Sequence, residues 1–218
     1  MVKVLEKLGC EVNYPAGQTC CSQPAWNGGQ KEMARPVAEK WLNDFGNGRY
    51  VVSPSSSCVG MVRGYYQEMF MNTSNHLKCR AVQGKTFEFT EFLTDILKVE
   101  DIGATFKAKA TYHDACSALR ECFIKQAPRT LLSHVKGLEL VEMNDVETCC
   151  GFGGTFAVKY EPISTAMAEQ KVENSLATGA EYIISSDLSC LMHLEGYIKK
   201  KKLPLKTIHI ADVLASGW

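Results

Sequence analysis

A doubled cysteine occurs twice in this chain, as Thr19-Cys20-Cys21 and as Thr148-Cys149-Cys150-Gly151. Each pair is followed by one more cysteine at a similar offset, Cys58 after the first and Cys190 after the second. Adjacent cysteines rarely bond to each other, because the ring so closed is small and strained. Repeated in this way, the pattern predicts two thiolate sites built by internal duplication. It also requires a fold that draws distant segments together twice.

The repeat extends past the cysteines. The run from Arg49 to Cys58 parallels Glu181 to Cys190, each a buried strand delivering a cysteine at its carboxyl end. The run from Lys85 to Leu93 parallels Lys206 to Leu214, a short strand turning into a helix. A helical stretch lies between each doubled cysteine and the next strand. In the second copy Ser164 and Thr165 offer caps, Met167, Ala168, Val172 and Leu176 recur at helical spacing, and Gly179 ends the run. In the first copy Met33, Val37, Trp41 and Leu42 form the stripe, with Pro36 tolerable only near the first turn. Alternating strands and helices predict an α/β fold of two duplicated parallel-sheet halves related by a pseudo-twofold, residues 1–103 and 104–218.

One difference separates the copies. The second opens with a strand, Lys109-Ala110-Thr111-Tyr112-His113-Asp114-Ala115-Cys116, which places a cysteine 33 residues ahead of Cys149. The same offset ahead of Cys20 falls before Met1. Met1, Val4, Leu5 and Leu8 already lie on one helical face ended by Gly9, with no capping residue before them. The expectation is that the first half lacks its N-terminal strand and the cysteine carried on it.

Ten cysteines in 218 residues are compatible with secreted disulfides, metal ligands or a redox relay. The opening Met1 to Leu8 alternates charge with apolar residues and has no signal-peptide core, so a reducing cytoplasm and free thiolates are expected. With 24 basic residues balancing 24 acidic ones, no global field favours nucleic acid, and no apolar run reaches membrane-span length.

Cys116, Cys149, Cys150 and Cys190 form the complete set, Cys20, Cys21 and Cys58 the incomplete one. Four thiolates hold either tetrahedral zinc or an iron-sulfur cluster. Structural zinc usually uses C-x-x-C knuckles, absent here, and long spacings favour a cluster several ångströms across. The turn Gly151-Phe152-Gly153-Gly154-Thr155 fails the dinucleotide fingerprint, since its third glycine would fall at Phe156. It is expected to bring backbone amides close to cluster sulfurs. A third possibility, thiol-disulfide catalysis by a doubled cysteine, lacks the usual C-x-x-C.

Gly17-Gln18-Thr19-Cys20-Cys21, Thr111-Tyr112-His113-Asp114, Cys149-Cys150-Gly151-Phe152-Gly153-Gly154-Thr155-Phe156 and Ser185-Ser186-Asp187-Leu188 closely resemble the cysteine-rich (CCG) domain proteins. The nearest branch is the lactate-utilisation protein A family. The iron-sulfur subunit of glycolate oxidase and the corresponding cysteine-rich component of heterodisulfide reductase are more distant. The resemblance implies an iron-sulfur electron-transfer subunit of an oxidoreductase that oxidises L-lactate together with two partner subunits, or glycolate in place of lactate. It gives ligand roles to Cys116, Cys149, Cys150 and Cys190 and to Cys20, Cys21 and Cys58. The reductase relatives carry C-x-x-C where this chain has Ser55 before Cys58 and Asp187 before Cys190, so an ordinary 4Fe-4S cluster is expected. A zinc-stabilised structural or assembly module is the alternative.

Cys10, Cys79 and Cys122 are expected to be packed thiols, Cys122 being the best exception among them. Asp114 is expected to cap a helix and His113 to hold the loop, although a histidine beside an aspartate also suits a general base. Lys199 to Lys202 is expected to be a solvated face.

Overall fold

The computed structural model describes residues 1–218. The first half opens with α1 (Val2–Lys7), α2 (Gln23–Asn27) and α3 (Lys31–Phe45). Strand β1 (Val51–Ser53) leads into α4 (Ser56–Gly60), which a π-helical turn over Met61–Tyr65 joins to α5 (Tyr66–Phe70). Then come α6 (His76–Gln83), β2 (Thr86–Glu88) and α7 (Phe89–Glu91), followed by a second π-helical turn over Phe92–Ile96. The second half runs β3 (Thr105–Tyr112), α8 (Cys116–Arg120), α9 (Gln126–Ser133) and β4 (Lys136–Leu140). It continues through α10 (Thr155–Lys159), α11 (Glu161–Leu176), β5 (Tyr182–Ser185), α12 (Leu188–Lys201), β6 (Lys206–His209) and α13 (Ile210–Leu214). No helix is long and apolar enough to cross a membrane.

Both sheets are parallel. β1 pairs with β2, and the larger sheet has the order β4-β3-β5-β6. Ile183 and Ile184 in β5 are fully buried, as expected of a strand covered on both faces. The unit β1–helices–β2–α7 in the first half matches β5–α12–β6–α13 in the second, so the predicted α/β class and parallel pairing hold. In the second half β3 fills the space between β4 and β5. In the first half a cavity of about 850 Å³ lies between Cys10–Tyr14 and β1. Residues 10–14 form no strand, because no neighbouring strand takes up their backbone groups there.

Three apolar clusters hold the molecule. One draws on both halves, packing Val4, Leu5, Phe89 and Leu93 against Tyr112, Ile184, Ile210 and Leu214. A second lies under the Cys149–Cys150 segment around Ala168, Val172, Leu191 and Leu194. The third is confined to the first half, around Trp41, Leu42, Tyr66 and Phe70.

Several local expectations need correction. The strands end at Ser53 and Ser185, so Cys58 and Cys190 sit in the first turn of the following helix rather than at a strand end. Likewise β3 ends at Tyr112 and Cys116 opens α8. Pro36 lies inside α3, and Met33 is exposed, since the buried face is Ala34, Ala38, Trp41 and Leu42. Helix α11 starts at Glu161 with Pro162 in its first turn, so Ser164 is no cap; its hydroxyl donates to the Gly151 carbonyl at 2.7 Å.

Candidate metal centre

Three segments deliver the second cysteine set to one place. Cys116 comes from the start of α8, Cys149 and Cys150 from the loop before α10, and Cys190 from the first turn of α12. Cys150 and Cys190 are buried, Cys116 and Cys149 half-buried, and all ten cysteines of the chain are free of disulfides. The thiols are neighbours in turn: Cys116 by Cys149, Cys149 by Cys150, Cys150 by Cys190.

Crowding separates their acidities. Hydrogen bonds received from Cys116 and Cys150 hold Cys149 far below the ordinary thiol range. Donation to Cys149 and burial push Cys116 upward, and donation to Cys149 and Cys190 together with burial does the same to Cys150. Among Cys116, Cys149 and Cys150 the thiolate is favoured at Cys149, because a second negative charge at this distance and burial is costly. Metal cations remove that cost, since they bind thiolate rather than thiol.

The surroundings favour negative charge. Gly151 donates its amide to Cys149 Sγ at 3.4 Å, and the Phe152 amide serves Cys150. The turn needs its glycines: Gly151, Gly153 and Gly154 have φ of 91°, 52° and 62°. A Cβ on Gly151 would stand 2.6 Å from the Ser164 carbonyl oxygen. The expected close backbone approach is therefore present.

Lys171, on the buried face of α11, is a component that sequence reasoning missed. Its side chain is fully buried and donates to the Asp145 and Val146 carbonyls at 2.7 and 3.1 Å. Burial lowers its pKa, while the thiols of Cys150 and Cys149 act in the opposite sense. The available signal was a lysine at the position between Ala168 and Ser175 where the apolar stripe turns inward.

His113 does not hold its loop through the ring. Its backbone does so, with the amide donating to the Ile184 carbonyl at 2.8 Å and the carbonyl accepting from Ser185 at 3.0 Å. Both ring nitrogens are buried without a partner. Burial, reinforced by the Lys171 cation, pushes its pKa down to about 4. Asp114 does not cap α8, whose N-cap is Ala115 without a side-chain bond. Asp114 instead forms a two-pronged ion pair with Arg129 at 2.9 and 2.8 Å, and Arg129 also bonds Glu142. It is thereby committed to structure, and a His113–Asp114 base pair has no support.

In the first set, Cys21 is buried, Cys58 half-buried and Cys20 exposed. The Cys21 thiol donates to Cys58, which raises the former and lowers the latter. Tyr66 fixes the segment by donating to the Cys21 carbonyl at 3.1 Å. Cys10, Cys20, Cys21 and Cys58 all line the 850 Å³ cavity. Cys79 and Cys122 are buried thiols, pushed by burial to about 11 and about 12. The Cys122 thiol donates to the Ser56 carbonyl at 3.5 Å, consistent with a packed role.

Asp187 ties the two sets together. Its Oδ2 accepts from Ser56 Oγ at 3.2 Å and from the Ser57 amide, next to Cys58, at 3.0 Å. Its Oδ1 accepts from the Ser189 amide at 3.2 Å, next to Cys190. Ser55 also reaches Oδ2, at 3.4 Å. Ser55 and Asp187 thus face each other.

The sequence profile of the Cysteine-rich domain family matches residues 1–63 and 110–195, spans that contain all seven cysteines of the two sets. Lactate utilization protein A of Geobacillus sp. (strain WCH70) is 43% identical over 215 residues, covering 99% of this chain and 90% of the relative. That of Exiguobacterium sp. (strain ATCC BAA-1283 / AT1b) is 44% identical over 218 residues, covering 99% and 89%. The protein of the same name from Bacillus cytotoxicus is 42% identical over 215 residues, at 99% and 90%. The chain belongs to the cysteine-rich domain family, in its lactate utilization protein A branch.

Proposed function

We propose that this chain is an iron-sulfur electron-carrying subunit of a system that oxidises L-lactate, acting in the cytoplasm with two partner subunits that include the site of hydroxy-acid oxidation. The observation that carries the proposal is the gathering of four free thiols from three separated segments at one place in the fold. The relatives' name supports lactate over glycolate as the fuel. The two halves, 1–103 and 104–218, are proposed as two cysteine-rich repeats, each with its own set.

A 4Fe-4S cluster held by Cys116, Cys149, Cys150 and Cys190 supplies a one-electron carrier. The residues around it set its environment. The Gly151 and Phe152 amides and the Lys171 cation offset negative charge, which favours the reduced state. Leu191, Leu194 and Val172 exclude water beneath it. Asp187 joins the Cys58 turn to the Cys190 turn, which suits transfer between two sets.

Serine replacement tests the ligand assignment. Cys116→Ser and Cys150→Ser should each remove the iron of the second set, while Cys79→Ser leaves iron content unchanged. Equal losses in all three variants would refute the assignment.

A further inference from the structure

His113 is the one side chain at the second set whose chemistry is unused. It is 1% exposed, both ring nitrogens lack a hydrogen-bond partner, and its backbone is pinned on both sides by β5. A buried imidazole without any partner has given up its water hydrogen bonds with nothing in return. The ring faces sulfur. A ring nitrogen of His113 and the thiol sulfurs of Cys150 and Cys190 lie within 4.8 Å of one another. Donors about 2.3 Å from a tetrahedral ion stand about 3.8 Å apart, so three atoms this close are within reach of one metal centre. The contrast with Asp187 is direct, because that carboxylate has its oxygens occupied by Ser56, Ser57 and Ser189.

The geometry points to His113 as a nitrogen ligand of the second set, donating to the metal centre beside Cys150 and Cys190. This inference rests on the proposed metal centre but not on its being an iron-sulfur cluster. It makes the set one of five donors, four sulfurs and one nitrogen. Imidazole is neutral, so it adds a donor to the centre without the negative charge that a fifth thiolate would bring.

Pulsed electron paramagnetic resonance of the anaerobically loaded, reduced full chain reads this directly. The expected result is a nitrogen coupling of the size found for nitrogen bonded to iron, lost in His113→Ala and in His113→Cys. It should persist in His193→Ala, whose ring stands beside Phe152 and bonds Ser164. His113→Cys should still retain iron. If the wild-type signal shows no such coupling, or only the weak coupling of a hydrogen-bonded nitrogen, His113 is not a ligand, whether or not the variants fold. If the chain proves to hold zinc, the cluster proposal fails, and zinc-edge X-ray absorption answers the same question. One nitrogen in the zinc shell, lost in His113→Ala, is expected, and an all-sulfur shell overturns the inference.

Discussion

Gly151 and Ser22 occupy the same place in the two halves, one residue after a doubled cysteine, and both have left-handed backbone, φ 91° and 72°. Glycine adopts this conformation freely, whereas for serine it costs about 1 kcal/mol. The Ser22 hydroxyl is buried without a partner, so nothing in its side chain offsets that cost. Ser22→Gly is therefore expected to stabilise the fold by about 0.5 kcal/mol after the chain-entropy cost of glycine is counted, measured by denaturant unfolding. Gly151→Ala should do the opposite and cost at least about 2 kcal/mol, since its Cβ would collide with the Ser164 carbonyl and Met167. Unchanged stability in Gly151→Ala would show that the turn yields. At this scale the cysteines were legible because a doubled, repeated residue type is local information. Lys171 and the unpartnered ring of His113 were not, because their meaning depends on which distant atoms surround them.

Strand and helix identities were legible from period and composition, and the positions of the cysteines along them were less so. The runs ending in Cys58 and Cys190 looked continuous, yet each chain turns two residues after the strand and starts a helix, where Asp187 caps α12 at Ser189. A one-turn shift is set by capping and tertiary contact, which apolar period does not encode. Asp187→Asn tests that contact. An amide nitrogen in place of one oxygen would face either the Ser57 or the Ser189 amide, so a loss of about 2–4 kcal/mol is expected, with faster alkylation of Cys58. Stability within error of the natural chain would remove Asp187 from its bridging role. A second element-scale prediction concerns the turn from β2 into α7, where buried Glu88 caps Thr90 and Glu91. Burial raises its pKa to about 7. The native state then holds a proton that the unfolded chain has released, so this stability is full below about pH 4.5 and is lost as pH rises through 7. Natural protein should lose about 2 kcal/mol relative to Glu88→Gln between about pH 5 and pH 8, by denaturant unfolding at each pH. Parallel pH curves for the two proteins would contradict it.

Over the whole molecule, a shared core binds the halves while each cysteine set keeps its own surroundings. The second set is enclosed by α8, α11 and α12 and compensated by Lys171 and two amides. The first opens onto the 850 Å³ cavity beside β1. The separateness of the two sets was legible in the sequence, since the doubled cysteines stand about 130 residues apart. How the sets are joined was not, because Asp187 and Ser57 are 130 residues apart. Holding iron and sulfur is the purpose proposed for the seven cysteines. Anaerobic purification of the full chain, followed by iron, acid-labile sulfide and zinc analysis, tests this most directly. A brown protein with iron and sulfide in equal amounts and an electron paramagnetic resonance signal on reduction is the predicted result. A colourless protein carrying stoichiometric zinc and no sulfide would contradict it.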